Sequence, residues 1–343
     1  MKKLIIQIPC LNEAATLPAT ISDLPRSVPG IDVIEFLVVD DGSNDGTADV
    51  ALRCGVDHVV RMRRHKGLAA AFAAGIDASL KRGADFIVNT DADNQYAGHE
   101  IPKLLEPLLK GAADIVIGDR NIAEVRHMSW RKRQLQRLGS WVVRQVSGTT
   151  VPDTTSGFRA YTREAALRMT IVSEYSYTLE SIIQAGKKRM AIAHVPVATN
   201  PRTRESRLFD SIFSYIKKSA ATIVRIYAMY EPLKVFTYIG LAIITAGVLV
   251  SLRFVYTMLT QPVYGPRNLQ SLILAAVFMI VGFQVVLIGL LADVISANRK
   301  LLEDLVYRVK TLELPGNRQD EEVSDGDRQG ALTGTGVERR WER

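Results

Sequence analysis

Asp91 and Asp93 stand one residue apart just beyond a short apolar run, Phe86-Ile87-Val88. Such a run reads as a buried strand. In extended backbone, residues i and i+2 point the same way, so the spacing predicts two carboxylates facing one point. Two hard oxygen ligands at a strand's carboxyl end suit Mg²⁺ or Mn²⁺, with phosphate oxygens or water completing the shell. A second reading stays open at this stage, because Asp and Asn are also ordinary turn formers.

Similar chemistry recurs upstream. A first apolar run, Leu4–Ile8, ends in Pro9-Cys10-Leu11-Asn12-Glu13, and a second, Ile34–Val39, ends in Asp40-Asp41-Gly42-Ser43-Asn44-Asp45-Gly46-Thr47. Gly42, Gly46 and Gly67 permit turns in which backbone N–H groups approach a phosphate. Helical stretches follow each run, and further strands are predicted at 57–61, 86–89, 113–118 and 192–197. Strand and helix alternating at these spacings predict an α/β fold, a mostly parallel sheet with helices on both faces. In such sheets ligands bind beyond the carboxyl ends of the strands, where all these acidic and Gly-rich segments fall. No Gly-x-Gly-x-x-Gly follows the first strand and no Walker A sequence occurs, which argues against a dinucleotide oxidoreductase and a phosphate-loop nucleotidase.

The 343 residues carry a net charge of +7, suited to phosphates, nucleotides or an anionic membrane face. Aromatics are only 7% and no basic-aromatic repeat appears, so nucleic acid is not expected as a partner. The two cysteines, Cys10 and Cys54, lack metal-ligand spacing and read as reduced core thiols of a cytoplasmic domain. Met1–Ile6 is too short before Pro9 for a signal peptide and reads as strand.

The character changes after residue 207. Residues 208–232 are amphipathic and predict juxtamembrane helices on the bilayer. Two uncharged runs, Val235–Leu252 and Leu269–Ala292, predict membrane spans over about 233–258, with Arg253 snorkelling, and 269–295. Lys217, Lys218, Arg225 and Lys234 precede the first, and Arg299, Lys300, Arg308 and Lys310 follow the second. Positive-inside logic then puts the catalytic domain and both termini in the cytoplasm, with the spans in the cell (inner) membrane. Residues 296–312 predict a cytoplasmic helix whose Leu301, Leu302, Leu305, Val306 and Val309 could meet a neighbouring protomer. The tail, 313–343, reads as disordered.

Taken together, Ile8–Glu13, Val39–Thr47, Asp91-Ala92-Asp93, Gly118-Asp119-Arg120, Thr155-Ser156-Gly157-Phe158-Arg159 and Arg202–Arg207 resemble the family 2 glycosyltransferases. More narrowly, they resemble the dolichol-phosphate mannosyltransferase-like group, which transfers sugars to polyprenyl phosphates. The resemblance covers roughly residues 4–210 and implies a GT-A (Rossmann-like) nucleotide-sugar transferase domain over 1–207. It implies that Pro9, Leu11, Glu13, Val39 and Asp41 line the nucleoside pocket. By the same resemblance Asp91 and Asp93 would hold the divalent metal on the donor diphosphate, with Gln95 and the Ala92 backbone beside them. It further implies that Arg120, Arg202 and Arg207 bind donor or acceptor phosphates, with Arg131 and Arg133 as acceptor-side candidates. The sequence departs from the family at Leu11, where a tyrosine is usual. It departs again at Glu205-Ser206-Arg207, one residue shorter than the usual Gly-Glu-Ser-Lys and ending in a fork rather than a point charge.

The implied reaction is inverting transfer of one sugar from a UDP- or GDP-sugar to an undecaprenyl- or dolichyl-type phosphate, with Asp93, Asp153 and Arg120 as catalytic candidates. Because the nucleophile is a phosphate oxygen already ionised near neutral pH, no strong base is required. Asp153 is either a positioning or weakly basic group or a turn residue after Pro152. The implied assembly is a homo-oligomer, possibly a tetramer. Two other readings compete: transfer to a sugar hydroxyl of a glycan, and a catalytically silent membrane scaffold.

Overall fold

The computed structural model describes residues 1–120, 130–173, 177–201, 212–260 and 269–314, without the side chains of 130–138, 212–219 and 222. Its first half alternates β1 (Lys3–Cys10), α1 (Leu17–Asp23), β2 (Val33–Asp40), α2 (Thr47–Arg53), β3 (His58–Arg61) and α3 (Leu68–Lys81). There follow β4 (Phe86–Asn89), α4 (Ile101–Leu109), β5 (Ile115–Asp119), α5 (Trp130–Ser147), β6 (Arg159–Thr162), α6 (Arg163–Arg168), α7 (Tyr177–Lys187) and β7 (Ile192–Pro196). Three helices end the described chain: α8 (Ile212–Tyr230), α9 (Pro232–Thr260) and α10 (Leu269–Glu313).

The strands form one seven-stranded sheet in the order β3-β2-β1-β4-β6-β5-β7. Every pairing is parallel except those of β6, which runs antiparallel between β4 and β5. β6 was not anticipated from the sequence, although Phe158, Tyr161 and Thr162 after a glycine are strand-forming types. Its reversal matters. Arg159, the first residue of β6, lies opposite Asn89, the last residue of β4. The loop that leads into β6 therefore opens at the carboxyl ends of the parallel strands.

Apolar side chains cover both faces of the sheet. Leu4, Ile6, Ile8, Phe36 and Val38 belong to one buried cluster, and Ile5, Leu37, Val39, Phe72 and Ile87 to the other. That alternation along β1 and β2 is what a strand buried on both sides requires. Cys10 is buried and its thiol is pushed well up, by burial first and then by Glu13 and Asp40. Cys54 is only half-buried at the cluster's margin rather than in the core.

The two expected spans are α9 and α10, both long and apolar enough to cross a membrane. They approach backbone to backbone. A Cβ added at Gly240 would stand 2.7 Å from the Gly282 carbonyl oxygen, and one at Gly282 would stand 2.9 Å from that of Gly240. Small residues at such contacts let helices associate where lipid removes any hydrophobic drive. The boundary expected at 295/296 is absent, since α10 runs unbroken from Leu269 to Glu313. Beyond the apolar stretch one face of α10 grips the first domain. Lys188 pairs with Glu303 at 2.9 Å, the Tyr307 hydroxyl donates to Glu164 at 3.0 Å, and the Arg168 guanidinium lies 4.7 Å above the Tyr307 ring. The face of α8 expected on the bilayer is turned to protein in its second half, where Ile226 and Tyr230 are buried in the domain's core cluster.

Candidate active site

Across one edge of the sheet, the ends of β2, β1, β4 and β5 and the loop before β6 bring together most of the singled-out residues. Pro9 and Val39 are register partners in β1 and β2, and both are buried. The loops that follow are knitted by backbone bonds. The Asn12 N–H donates to Ser43 Oγ at 2.9 Å, Asn44 N–H to Asn12 Oδ1 at 3.0 Å, and Glu13 N–H to Thr47 Oγ1 at 2.9 Å. Leu11 is half-buried at the mouth of this pair, and Glu13 accepts from the Thr16 hydroxyl at 2.7 Å.

Asp41 is buried and heavily used. Its carboxylate accepts from the Lys66 and Gly67 backbone N–H groups at 2.8 Å each and meets His65 Nδ1 at 2.8 Å. It thus shapes the turn that opens α3. No feature of the sequence linked Asp41 to a turn about 25 residues downstream.

Asp91 and Asp93 do not lie on β4. The strand ends at Asn89, and the carboxylates sit in the turn beyond it, where Asn94 takes a left-handed φ of 54°. The i, i+2 strand geometry expected for them is therefore replaced by a turn. Asp93 Oδ1 accepts from the Gln95 N–H at 3.2 Å. The Ala92 carbonyl is turned inward to accept from Thr20 Oγ1 at 2.9 Å. Burial first, and the Asp93 charge second, push the Asp91 carboxyl up to about 7. Among the described residues no hydrogen bond reaches the Asp91 carboxylate. An oxygen-only pair of this kind is a fitting donor set for a hard cation that draws its other ligands from phosphate or water. No cluster of three or more metal-ligating side chains occurs among the described residues, so the protein's share of such a shell is small.

Gly157 lies against this pair. A Cβ there would stand 3.0 Å from both Asp91 carboxylate oxygens and from the Tyr177 hydroxyl, so any side chain would have to push these groups back by a few tenths of an ångström. Beneath it runs a buried polar chain. Gln7 Nε2 donates to Asn89 Oδ1 at 2.9 Å, and Asn89 Nδ2 donates to the Gly157 carbonyl and to Tyr177 Oη at 2.8 Å each. Arg159 is fully buried. It donates to the carbonyls of Ser156 at 2.7 Å, Thr178 at 2.9 Å and Thr154 at 3.0 Å, and to Ser181 Oγ at 2.6 Å. This guanidinium fastens the loop 154–157 to the start of α7. Asn89, Tyr177 and Arg159 were not singled out individually, and a polar residue ending an otherwise apolar strand was the available signal for Asn89.

Arg120, just past β5, makes a bidentate pair with Asp153 (Nε to Oδ2 2.7 Å, Nη2 to Oδ1 3.0 Å) and also donates to Thr155 Oγ1 at 2.9 Å. Burial favours neutral Asp153, but Arg120 and Thr155 outweigh it and hold the carboxyl below its usual range. Burial likewise opposes the Arg120 charge, and Tyr96 and Asp153 overcome it, so its pKa is raised. The Asp153 carboxylate is thus paired on both oxygens and its basicity is low.

Asn200 ties the chain after β7 to the same turn, donating its backbone N–H to the Gln95 carbonyl at 2.9 Å and Nδ2 to the Asn94 carbonyl at 3.1 Å. Arg202 and Arg207, which follow, lie outside the described residues, as do the side chains of Arg131 and Arg133 on α5.

Comparison with known proteins fits this arrangement. The model of glycosyl transferase family 2 matches residues 5–169, and that of a GtrB C-terminal hairpin matches residues 231–297. Glucosyl-3-phosphoglycerate synthase from Mycobacterium tuberculosis, solved with Mn²⁺, UDP-glucose and phosphoglyceric acid, superposes with a TM-score of 0.53 at 24% identity. The match covers 66% of this chain and 80% of that one, and it establishes the GT-A-like fold. Polyprenol monophosphomannose synthase of Mycolicibacterium smegmatis is 30% identical over 59% of this chain and 78% of its own length. Undecaprenyl-phosphate mannosyltransferase of Micrococcus luteus is 33% identical over 55% of this chain and 80% of its own. A catalytic segment and a hairpin matched in the order the fold displays them carry the same message as these relatives: the chain belongs to the family 2 glycosyltransferases, within their polyprenyl-phosphate group.

Proposed function

We propose that the protein is a membrane-bound, inverting glycosyltransferase that moves one sugar from a UDP- or GDP-sugar to a polyprenyl phosphate. The observation that carries this reading is the placement of Asp91 and Asp93 beside the Arg120–Asp153 pair at one sheet edge. Two carboxylates suited to a cation adjoin a fixed guanidinium suited to phosphate.

In this reading Pro9, Leu11, Glu13 and Val39 border the nucleoside, and Asp41 shapes its pocket through the turn at His65–Gly67. Asp91 and Asp93 hold Mg²⁺ or Mn²⁺, with Gln95 close by. When bound, the cation stabilises charge on the departing diphosphate. Arg120, held in one orientation by Asp153 and Thr155, binds a phosphate at the reacting end. Arg202 and Arg207 extend that cationic field, and Arg131 and Arg133 belong to the acceptor side. The acceptor phosphate is mostly ionised at neutral pH, so attack on the anomeric carbon needs positioning more than proton removal. A paired Asp153 is compatible with such chemistry. The catalytic domain and both ends of the helical hairpin face the cytoplasm.

Purified protein in detergent, given undecaprenyl phosphate and a panel of UDP- and GDP-sugars with Mg²⁺, Mn²⁺ or EDTA, provides the test. The expected product is a lipid-phosphate monosaccharide from one donor, seen by mass spectrometry, lost with EDTA and in Asp93→Ala. Turnover that ignores lipid phosphate and requires a sugar or glycan hydroxyl sinks the proposal.

A further inference from the structure

A cavity of about 360 Å³ opens where the end of α8, the start of α9 and α10 meet the catalytic domain. Four cations line it: Arg168 from α6, Lys187 and Lys188 from the end of α7, and Lys300 from α10. The carboxylates that line it are already engaged. Glu231 holds Lys187 and Lys234, Glu303 takes Lys188 and Arg299 Nε at 2.9 Å each, and Asp304 takes Arg308 at 2.9 Å. Arg168 pairs with Glu164 and leans on the Tyr307 ring. Among the described residues Lys300 makes no ion pair. Arg299 lies behind the cavity, over the Tyr230 ring, and both its Nη atoms are buried without a hydrogen-bond partner among the described residues. Surplus positive charge with donors left over suits an anion that offers several oxygens, as a phosphate does.

Two features decide which phosphate. The first is height. The cavity lies between Pro232, where α9 begins, and Lys300, shortly past the uncharged run of α10. A bilayer that holds both helices therefore puts the headgroup layer of one leaflet beside it. The second is the surface on the membrane side. Ile295, Leu291 and Leu287 follow Arg299 down α10 at spacings of four, and are 68%, 67% and 43% exposed. A hydrocarbon chain can lie along that ridge while its phosphate enters the cavity, an advantage that free phosphate lacks. The cavity is also remote from the reacting edge. α7 starts at Tyr177, bonded to Asn89 at the site, and rises roughly 15 Å to Lys187 at about 1.5 Å per residue.

We propose that this cavity is a headgroup site for an anionic phospholipid, separate from the acceptor site and set into the contact between α10 and the catalytic domain. The lipid phosphate pairs with Lys300 and Arg168, above the unmatched charge of Arg299, and an acyl chain lies along Ile295 and Leu291. The site rests on the reading of α9 and α10 as membrane spans, and is independent of which sugar or acceptor the enzyme uses.

The test uses the full chain, stripped of lipid in a neutral detergent and mixed with phosphatidylglycerol, phosphatidylcholine or inorganic phosphate. Native mass spectrometry is expected to show phosphatidylglycerol retained over phosphatidylcholine, and the melting midpoint is expected to rise with phosphatidylglycerol alone. Lys300→Gln should weaken retention about fivefold, the scale of one basic residue beside an anionic headgroup, and Lys300→Glu should weaken it further. Lys300→Arg should keep it, as should Arg253→Gln, which removes an exposed cation near the far end of α9. Because Lys300 is exposed, none of its variants should shift the melting midpoint without lipid. Asp93→Ala should retain the lipid as the parent chain does, whatever becomes of turnover. Equal retention of the two lipids, an equal loss in Lys300→Glu and Arg253→Gln, loss in Asp93→Ala, or a shift with inorganic phosphate as large as that with phosphatidylglycerol overturns the proposal.

Discussion

The sheet edge carries two acidic pairs, Asp40-Asp41 after β2 and Asp91-Asp93 after β4, and their surroundings differ sharply. Asp41 is consumed by the chain itself, with two backbone N–H groups and His65 on its oxygens. Asp40 accepts from the Ser43 N–H at 2.9 Å. Asp91 is packed against Gly157 with no hydrogen bond among the described residues and carries a carboxyl pushed up to about 7. Asp41 is saturated on both oxygens, whereas Asp40 Oδ2 is buried without a hydrogen bond among the described residues and lies 3.5 Å from Arg61 Nε. A half-buried carboxylate beside a second one resists ionisation, and a cation placed between them would favour the charged pair. Two motifs of similar composition thus differ most at Asp41 and Asp91, in the number of donors already aimed at each carboxylate.

The contrast can be broken most decisively at Asp93. Asp93→Ala is expected to cut turnover by about 10²- to 10³-fold, the scale of losing one electrostatic contact to the reacting group. The thermal midpoint of the apo protein should hold or rise, because a repulsive neighbour of Asp91 is gone. Parallel assays of turnover and melting check both halves. A large fall in melting temperature with little loss of turnover would move Asp93 into the scaffold class.

Asp153→Asn comes next. Removing one member of a buried ion pair costs about 3–5 kcal/mol, and Arg120 loses its orientation as well. Turnover and stability should fall together, read by steady-state kinetics and by melting in detergent. The pH dependence has a definite sign. The folded pKa of Asp153 lies below its unfolded value, so the pair's contribution is present above about pH 4 and is lost as pH falls through the folded value. Asp153→Asn should therefore flatten the acid limb of the stability curve.

Asp41→Ala should behave as the scaffold member of the comparison. Stranding the N–H groups of Lys66 and Gly67 should cost about 2–3 kcal/mol. The result should appear first as a lower melting temperature, with excess donor restoring most of the turnover. Smallest of all, Leu11→Tyr puts back the aromatic ring usual in the family and should lower the donor KM a few-fold, on the scale of about 1 kcal/mol for one aromatic contact. No change in KM would mean that Leu11 does not border the nucleoside.

Much of the architecture was legible because it is written in short-range pattern. Apolar runs Leu4–Ile8 and Ile34–Val39 became β1 and β2, and the uncharged stretches became α9 and the first part of α10. What escaped has a common cause: it depends on partners distant in the chain. Asp41 meets His65 through a turn and Asn89 meets Tyr177 across 88 residues, while Arg159 finds three carbonyls and a hydroxyl that only the folded loop presents. The reversal at β6 belongs to the same class, since strand direction is a property of the sheet. The expected boundary between 269–295 and 296–312 marks the end of an apolar stretch, and such an end need not be the end of a helix.

That uninterrupted helix also fixes a height. Its 45 residues extend about 68 Å, of which a hydrocarbon layer takes about 30 Å. The remainder packs against the catalytic domain, clamped at Glu303 and Tyr307. With the apolar stretch seated in a bilayer, the clamp would tie the height of the sheet edge to the length of this helix, as a crane's mast sets the level of its hook. A reactive phosphate tethered to a lipid can rise only as far as its own headgroup, so lengthening or shortening the mast by one turn would move the machinery out of its reach without altering a single residue that touches it.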